Sequence, residues 1–279
     1  MKESKDPYFD IVIEPRSTIL GYWKEIWNFK NLFYFLAWRD VKIRYKQTAI
    51  GIAWSLLKPV ITLVVFTIVF GVLAKFPADG APYPILVFSA LLPWQFFANC
   101  FSDSGNSILL NANIISKVYF PRLIIPVSST FGNIIDFMIS FALLVIMLFL
   151  YGLNPGWRIL VIPFFLLISL IVSLGLGLLV ASVNVKYRDF KYLLPVIIQA
   201  GMYLSPIGFS SSIIPQKWQL LYSLNPMVGV IDGFRWAIIG GKSTLYIPGL
   251  LLSIVLSVLL LIAGIIYFKK TEKKFADFI

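Results

Sequence analysis

Six long apolar runs constrain this chain more than any other feature, near residues 52–74, 85–101, 123–150, 159–182, 193–214 and 246–268. A helix needs roughly 20 apolar residues to cross the hydrocarbon of a bilayer, and each run approaches or exceeds that length. The expected fold class is therefore an all-α integral membrane protein with six transmembrane helices. A seventh stretch, residues 215–240, is apolar but broken by Pro215 and Pro226. It is too interrupted for a clean span and too apolar for an ordinary loop, so short re-entrant helices are expected between spans five and six.

Composition supports lipid as the main solvent. Of 279 residues 59% are hydrophobic and only 13% charged, against about a quarter charged in average globular chains. The single Cys100 excludes an internal disulfide framework, and the absence of His excludes His/Cys metal clusters and His-dependent triads. No cofactor is expected in this chain. The opening "MKESKDPYFDIVIEPRST" lacks the apolar core and small-residue cleavage site of a signal peptide, so it is expected to stay in the cytoplasm.

Lys and Arg set the orientation. With six spans, all of the 24 except Lys75, Arg158, Lys217, Arg235 and Lys242 fall on the side of the N-terminus, which places both termini in the cytoplasm by the positive-inside rule. The net charge of +11 then reports topology and attraction to anionic lipid. A nucleic-acid partner is unnecessary. The expected organisation is a cytoplasmic segment over 1–51, a six-span domain over 52–268 and a basic cytoplasmic tail over 269–279.

Before the first span, "LFYFLAWRDVKIRYKQ" repeats Tyr34, Trp38, Val41 and Tyr45 at helical spacing, beside a line of Phe35, Arg39, Lys42 and Lys46. Such a helix lies along the membrane surface, rings at headgroup depth and cations toward phosphate or water. Two roles fit Trp38, Arg39, Lys42, Arg44, Tyr45 and Lys46: a positive-inside anchor, or a docking surface for a cytoplasmic partner.

Three lines of residues within the spans stand out. Ser169, Ser173, Gly177 and Ala181 repeat every four residues, the small-residue spacing that brings helices close, and read as packing. Ser129, Asn133, Asp136 and Ser140 share one face, and a carboxylate at that depth must be paired or face water. A helix-to-helix hydrogen bond and a conduit wall both satisfy that requirement. Gln95, Asn99, Asp103 and Asn106 form a similar line and favour a polar conduit, because polarity continues to the cytoplasmic end through "SDSGNS". Phe66, Phe70, Trp94, Phe97 and Tyr203 lie within spans where rings could line a conduit or simply face lipid. "GGKST" at 240–244 mimics the end of a phosphate-binding loop, but position 236 is Trp where that motif needs Gly.

Taken in order, "LAWRDVKIRYKQTAIGIAWSLLKP", "YPILVFSALLPWQFF", "NANIISKVYFPRLIIPV", "NVKYRDF" and "SPIGFSSSIIPQKWQLLYSLNPMVGVIDGFRW" resemble the membrane subunit of type-2 ABC exporters of lipid-linked polysaccharide, closest to the O-antigen branch. The resemblance implies a permease subunit that exports an undecaprenyl-type lipid-linked glycan across the bacterial inner membrane and is itself no enzyme. It implies a homodimer paired with two copies of a separate ABC ATPase that binds ATP and Mg. It identifies residues 32–47 as the family's interface helix and 111–120 as the coupling helix, so that Asn111, Ile115, Lys117, Val118, Tyr119, Phe120 and Arg122 face the ATPase. Ile115, Val118 and Tyr119 are apolar at helical spacing, and Pro121 stops the turn. The stretch 215–240 resembles the family's outer gate helices, which singles out Asn225, Pro226, Asp232 and Arg235. The last two stand at the spacing of an intrahelical ion pair.

Competing readings are a type-2 exporter of drugs or small lipids, an ion-coupled secondary transporter and a membrane-embedded enzyme on lipid-linked sugars. The secondary transporter predicts ion dependence without an ATPase. The enzyme is disfavoured because the 13 acidic residues stand mostly singly.

Overall fold

The computed structural model describes residues 19–46, 52–77, 80–154, 156–187, 189–240, 245–272 and 275. The polar opening segment before residue 19, positions 241–244 of the "GGKST" motif, Gln47 and most of the tail beyond 272 lie outside the described residues.

Every regular element among these residues is helical. In chain order they are α1 (Ile19–Asn28), α2 (Lys30–Lys46), α3 (Ile52–Phe66), α4 (Tyr83–Leu110), α5 (Ala112–Ile115), α6 (Ile124–Ser129), α7 (Phe131–Leu150), α8 (Ile162–Lys186), α9 (Phe190–Leu204), α10 (Gln216–Tyr222), α11 (Pro226–Ile239) and α12 (Ile247–Glu272). The widened π-helical turns Thr67–Leu73 extend α3, and 3-10 turns lead into α8. Among the described residues five helices are long and apolar enough to cross a membrane: Ser55–Leu73, Tyr83–Leu110, Ile124–Leu150, Gly156–Lys186 and Ile247–Glu272.

The run expected as a fifth span over 193–214 is not one long helix. It forms α9, whose 15 residues reach about 22 Å at 1.5 Å per residue, short of the roughly 30 Å hydrocarbon. Hydropathy registers the apolar side chains beyond Leu204 but not the backbone, which turns extended at Ser205 (φ −100°, ψ 152°). Residues 205–208 are nevertheless buried, and the Ile207 carbonyl accepts a hydrogen bond from Arg235 on α11.

α4 is the central post, with Ile85, Leu86, Val87, Phe88, Ala90 and Leu91 fully buried. Around it, the edge-to-face pairs Phe96–Phe137 and Phe137–Phe234 join α4, α7 and α11. The small-residue stripe packs as its spacing predicts: Ser169, Ser173 and Ala181 are fully buried. A Cβ on Gly177 would lie 2.5 Å from Ser104 Oγ, so α8 approaches α4 closely at that point. α8 and α12 come closer still, because a Cβ on Gly264 would lie 2.4 Å from the Gly175 carbonyl oxygen. At the end of the bundle that carries α2, a second apolar cluster of Tyr22, Leu36, Ile115, Phe120, Leu123, Phe268 and Phe275 ties α1, α2, residues 111–123 and α12 together.

Candidate functional site

The helix α2 presents a different face from the one its periodicity suggests. Leu36, Ala37 and Val41 are buried, whereas Tyr34 and Trp38 are 69% and 48% exposed. Docking against α6 and α7 selects the inward face. The small residue Ala37 and the branched Val41 allow the close approach that larger rings at Tyr34 and Trp38 would prevent. Lys42 lies 5.7 Å over the Trp38 ring on the outer side.

Arg44 follows Val41 inward rather than joining the outward cations. One guanidinium nitrogen donates to Asn133 Oδ1 at 2.7 Å and Asp136 Oδ2 at 2.6 Å, the other to Asp103 Oδ2 at 2.8 Å. Asp136 also accepts from Tyr45 at 2.6 Å and Ser55 at 2.5 Å, and Asn133 donates to Asp103 at 2.8 Å. Thus α2, α3, α4 and α7 meet in one charge cluster, and the costly carboxylates of both polar lines share a single cation. Burial opposes charge on Arg44, but the two carboxylates outweigh it and raise its proton affinity. Burial and the bond to Asp136 push the Tyr45 hydroxyl up to about 12.

Beside this cluster lies a cavity of about 320 Å³, walled by Gln95, Asn99, Lys58, Phe96 and Phe137 together with the cluster's own Arg44, Tyr45, Ser55, Asn133 and Asp136. Gln95 and Asn99 project into it one turn apart on α4. Asp103 and Asn106, further along the same line, point elsewhere: Asp103 is absorbed by Arg44, and the Asn106 amide donates to the Ser102 carbonyl at 2.9 Å.

A larger cavity, about 820 Å³, lies on another side of α4 and is walled by Trp94, Phe97, Phe101, Gly201, Trp218, Tyr222, Asn225 and Pro226. Of the conduit candidates, Gln95, Asn99 and Asp136 line the smaller cavity and Trp94 and Phe97 the larger. Phe66 and Phe70 line neither, packing instead at Gly208, where an added Cβ would lie 3.0 Å from the Phe70 ring. Tyr203 is 60% exposed on α9.

The segment 111–122 is anchored on three sides. Arg39 donates to Asn111 Oδ1 at 2.8 Å. Ile115 and Phe120 are buried in the chain's own second cluster, so neither offers a free contact to a partner, contrary to their assignment to an outward face. The helix α5 is a single turn, too short for an i, i+4 face to extend to Tyr119. Lys117, Val118 and Tyr119 are exposed. The third anchor is Glu272 at the end of α12, which accepts from the Arg122 backbone N–H at 2.8 Å and from the Tyr22 hydroxyl at 3.0 Å, while the Arg122 guanidinium donates to the Glu272 carbonyl. Tyr119 donates to Glu25 at 3.2 Å. Burial, then the Glu272 charge, raise the Tyr22 hydroxyl well above its ordinary value. Sequence periodicity gives no sign of this junction, because its members lie up to 250 positions apart.

At the opposite end, Asn225 caps α11 by accepting the Met227 N–H at 3.1 Å, and Pro226 occupies the first turn, where no donor is needed. Arg235 is 1% exposed and reaches the carbonyls of Phe209 at 2.8 Å, Ile207 at 3.0 Å and Leu86 at 3.3 Å. Asp232 accepts from Ser211 at 2.6 Å. Both residues serve the irregular segment after α9, supplying the donors and acceptors its backbone and hydroxyls would otherwise lack.

Comparison with known proteins gives a consistent result. The chain is 28% identical over 249 residues to an O-antigen export system permease protein of Klebsiella pneumoniae, covering 86% of this chain and 91% of that protein. It is 26% identical over 257 residues to an O-antigen export system permease protein of Myxococcus xanthus, covering 91% and 97%. A polysialic acid transport protein of Escherichia coli matches at 23% over 210 residues, 73% of this chain and 79% of that one. Residues 31–239 match the profile of the ABC-2 type transporter, a region running from α2 through α11 and including the Arg44 cluster and the whole lining of the smaller cavity. The chain belongs to the ABC-2 type transporter family.

Proposed function

We propose that this chain is the permease subunit of an ATP-driven exporter that carries lipid-linked polysaccharide outward across the bacterial cytoplasmic membrane. The observation that carries this reading is likeness over 86% of the chain or more to permeases named for O-antigen export. Two copies of the chain pair with two copies of an ABC ATPase, which binds ATP and Mg. Both termini face the cytoplasm, and α9 with the extended residues after it completes a sixth crossing. α10 and α11 then form the outer gate.

The chain's own part is mechanical. Exposed Lys117, Val118 and Tyr119 offer the ATPase an apolar contact flanked by charge. Pressure there reaches α4 through Asn111, α2 through Arg39 and α12 through Glu272, because each is bonded to the same segment. A lipid-linked glycan approaches α2 from the inner leaflet, where Lys42 and Lys46 attract its phosphates. Paired movement of α2, α4 and α7 results from the Arg44 cluster, which ties the three together.

The test is depletion of the protein in its host, followed by analysis of lipid-linked glycan inside and polymer outside. Accumulation of long lipid-linked polymer inside with loss at the surface is expected. Unchanged glycans on both sides refute polysaccharide export and point to a small-molecule substrate.

A further inference from the structure

The 320 Å³ cavity beside the Arg44 cluster holds an unusual balance of satisfied and unsatisfied groups. Asp136 accepts from Arg44, Tyr45 and Ser55, and Arg44 is divided among Asn133, Asp136 and Asp103. The hydrogen-bonding capacity of that side of the wall is taken up within the cluster. The Lys58 ammonium and the Gln95 and Asn99 carboxamides have no hydrogen-bond or ion-pair partner among the described residues. All three remain accessible, and Phe96 and Phe137 supply an apolar wall between them.

These three groups define a ligand. On the cavity lining Arg44 is matched by Asp136, and Lys58 is the one charged group there with no ion-pair partner, which suits a single anionic group. Two carboxamides one helical turn apart both donate and accept, which suits adjacent hydroxyls better than an amine or a second anion. The volume lies at the small end of ligand sites, enough for a headgroup and not for a polymer. Lys58 stands in the first turns of α3, and Arg44 and Tyr45 from the end of α2 share the cavity wall; on the proposed orientation the cavity lies toward the inner leaflet.

We infer that this cavity binds a phosphate ester flanked by hydroxyls, with Lys58 on the phosphate and Gln95 and Asn99 on the hydroxyls. Two sources carry that chemistry: the glycosyl-phosphate end of a lipid-linked glycan, or the headgroup of a resident phospholipid such as phosphatidylglycerol. The inference deepens the export reading and shares its orientation, but its test does not depend on transport.

The complex of permease and ATPase is placed in phosphatidylcholine nanodiscs, and binding of radiolabelled polyprenyl-phosphate glucose is measured. Lys58→Gln is expected to weaken binding by about tenfold, the range for one charge-assisted hydrogen bond. Gln95→Leu with Asn99→Leu is expected to weaken the glucosylated probe by a similar factor while leaving polyprenyl phosphate without sugar nearly unaffected. Melting temperatures matching the parent protein show that these variants fold. Displacement of the probe by phosphatidylglycerol at equal mole fraction assigns the site to phospholipid, and resistance to displacement assigns it to the glycan carrier. Equal probe affinity in the parent and both variants overturns the site even where depletion blocks glycan export. Variant-sensitive binding in a host whose glycans survive depletion retains the site and removes the export reading.

Discussion

Replacing Arg44 with Met tests the charge cluster most directly. The guanidinium makes contacts of 2.6, 2.7 and 2.8 Å to Asp136, Asn133 and Asp103. Hydrogen bonds to charged groups contribute about 1.5–3 kcal/mol each, so three set an upper bound of about 9 kcal/mol. Two facts reduce it. The Arg44 and Asp103 side chains are each 33% exposed, so water screens part of the interaction. Asp136 also keeps Tyr45 and Ser55 as donors. A net loss of about 3 kcal/mol remains, comparable to breaking a partly buried ion pair by removing one partner. The unfolding midpoint of the purified permease in detergent should fall by about 6 °C, taking roughly 2 °C per kcal/mol for a chain of this size. Adding Asp103→Asn to Arg44→Met should recover about half of the loss, since it removes one carboxylate left without its cation. A midpoint within about 1 °C of the parent for Arg44→Met, or a further drop on adding Asp103→Asn, would refute the reasoning.

The packing and the junctions dictate four further outcomes. Gly264→Ala places a methyl 2.4 Å from the Gly175 carbonyl, and since backbone cannot yield, it should cost at least about 1–3 kcal/mol in an unfolding titration; a neutral result contradicts the close α8–α12 contact. Glu272→Ala leaves the Arg122 N–H without its acceptor, so amide exchange over residues 118–124 should accelerate about tenfold or more; unchanged exchange argues against the anchor. Arg235→Met strips the donor from the Phe209 and Ile207 carbonyls, at about 3–5 kcal/mol, and should render residues 205–213 of the detergent-purified protein cleavable by added protease; resistance equal to the parent's removes that role. Tyr119→Asp puts charge on an exposed ring of the 111–122 segment and should reduce co-purification of the ATPase by about tenfold with membrane insertion unchanged; normal co-purification sinks the coupling assignment.

The long spans were legible because hydropathy alone decides between lipid and water over twenty residues. The Ser169 to Ala181 stripe was legible because a four-residue repeat of small side chains has one geometric meaning on a helix. Arg44 was not, since Arg39, Lys42, Arg44 and Lys46 look alike as a positive-inside signal, and only docking against α6 and α7 turns Arg44 inward. Asp136 announced a need for a partner, yet spacing within its own helix could not name one on α2. The end of α9 was hidden because Ser205 breaks the backbone while the residues just after it stay apolar. Ile115 and Phe120 were assigned outward on the assumption of a longer helix, whereas α5 stops after one turn and the chain folds both side chains beneath it.

The Glu272 junction also imposes an order on assembly. Its three parts, Tyr22 on α1, the Arg122 backbone and the end of α12, are separated by 150 and 250 positions, and contacts so distant along the chain form late. During synthesis α1 and the 111–122 segment leave the ribosome long before α12, and they wait without their shared acceptor until the last helix has entered the membrane. The exposed face of the 111–122 segment is thus finished only when every span is in place, so on the proposed reading a partly inserted chain has no completed surface for a motor subunit.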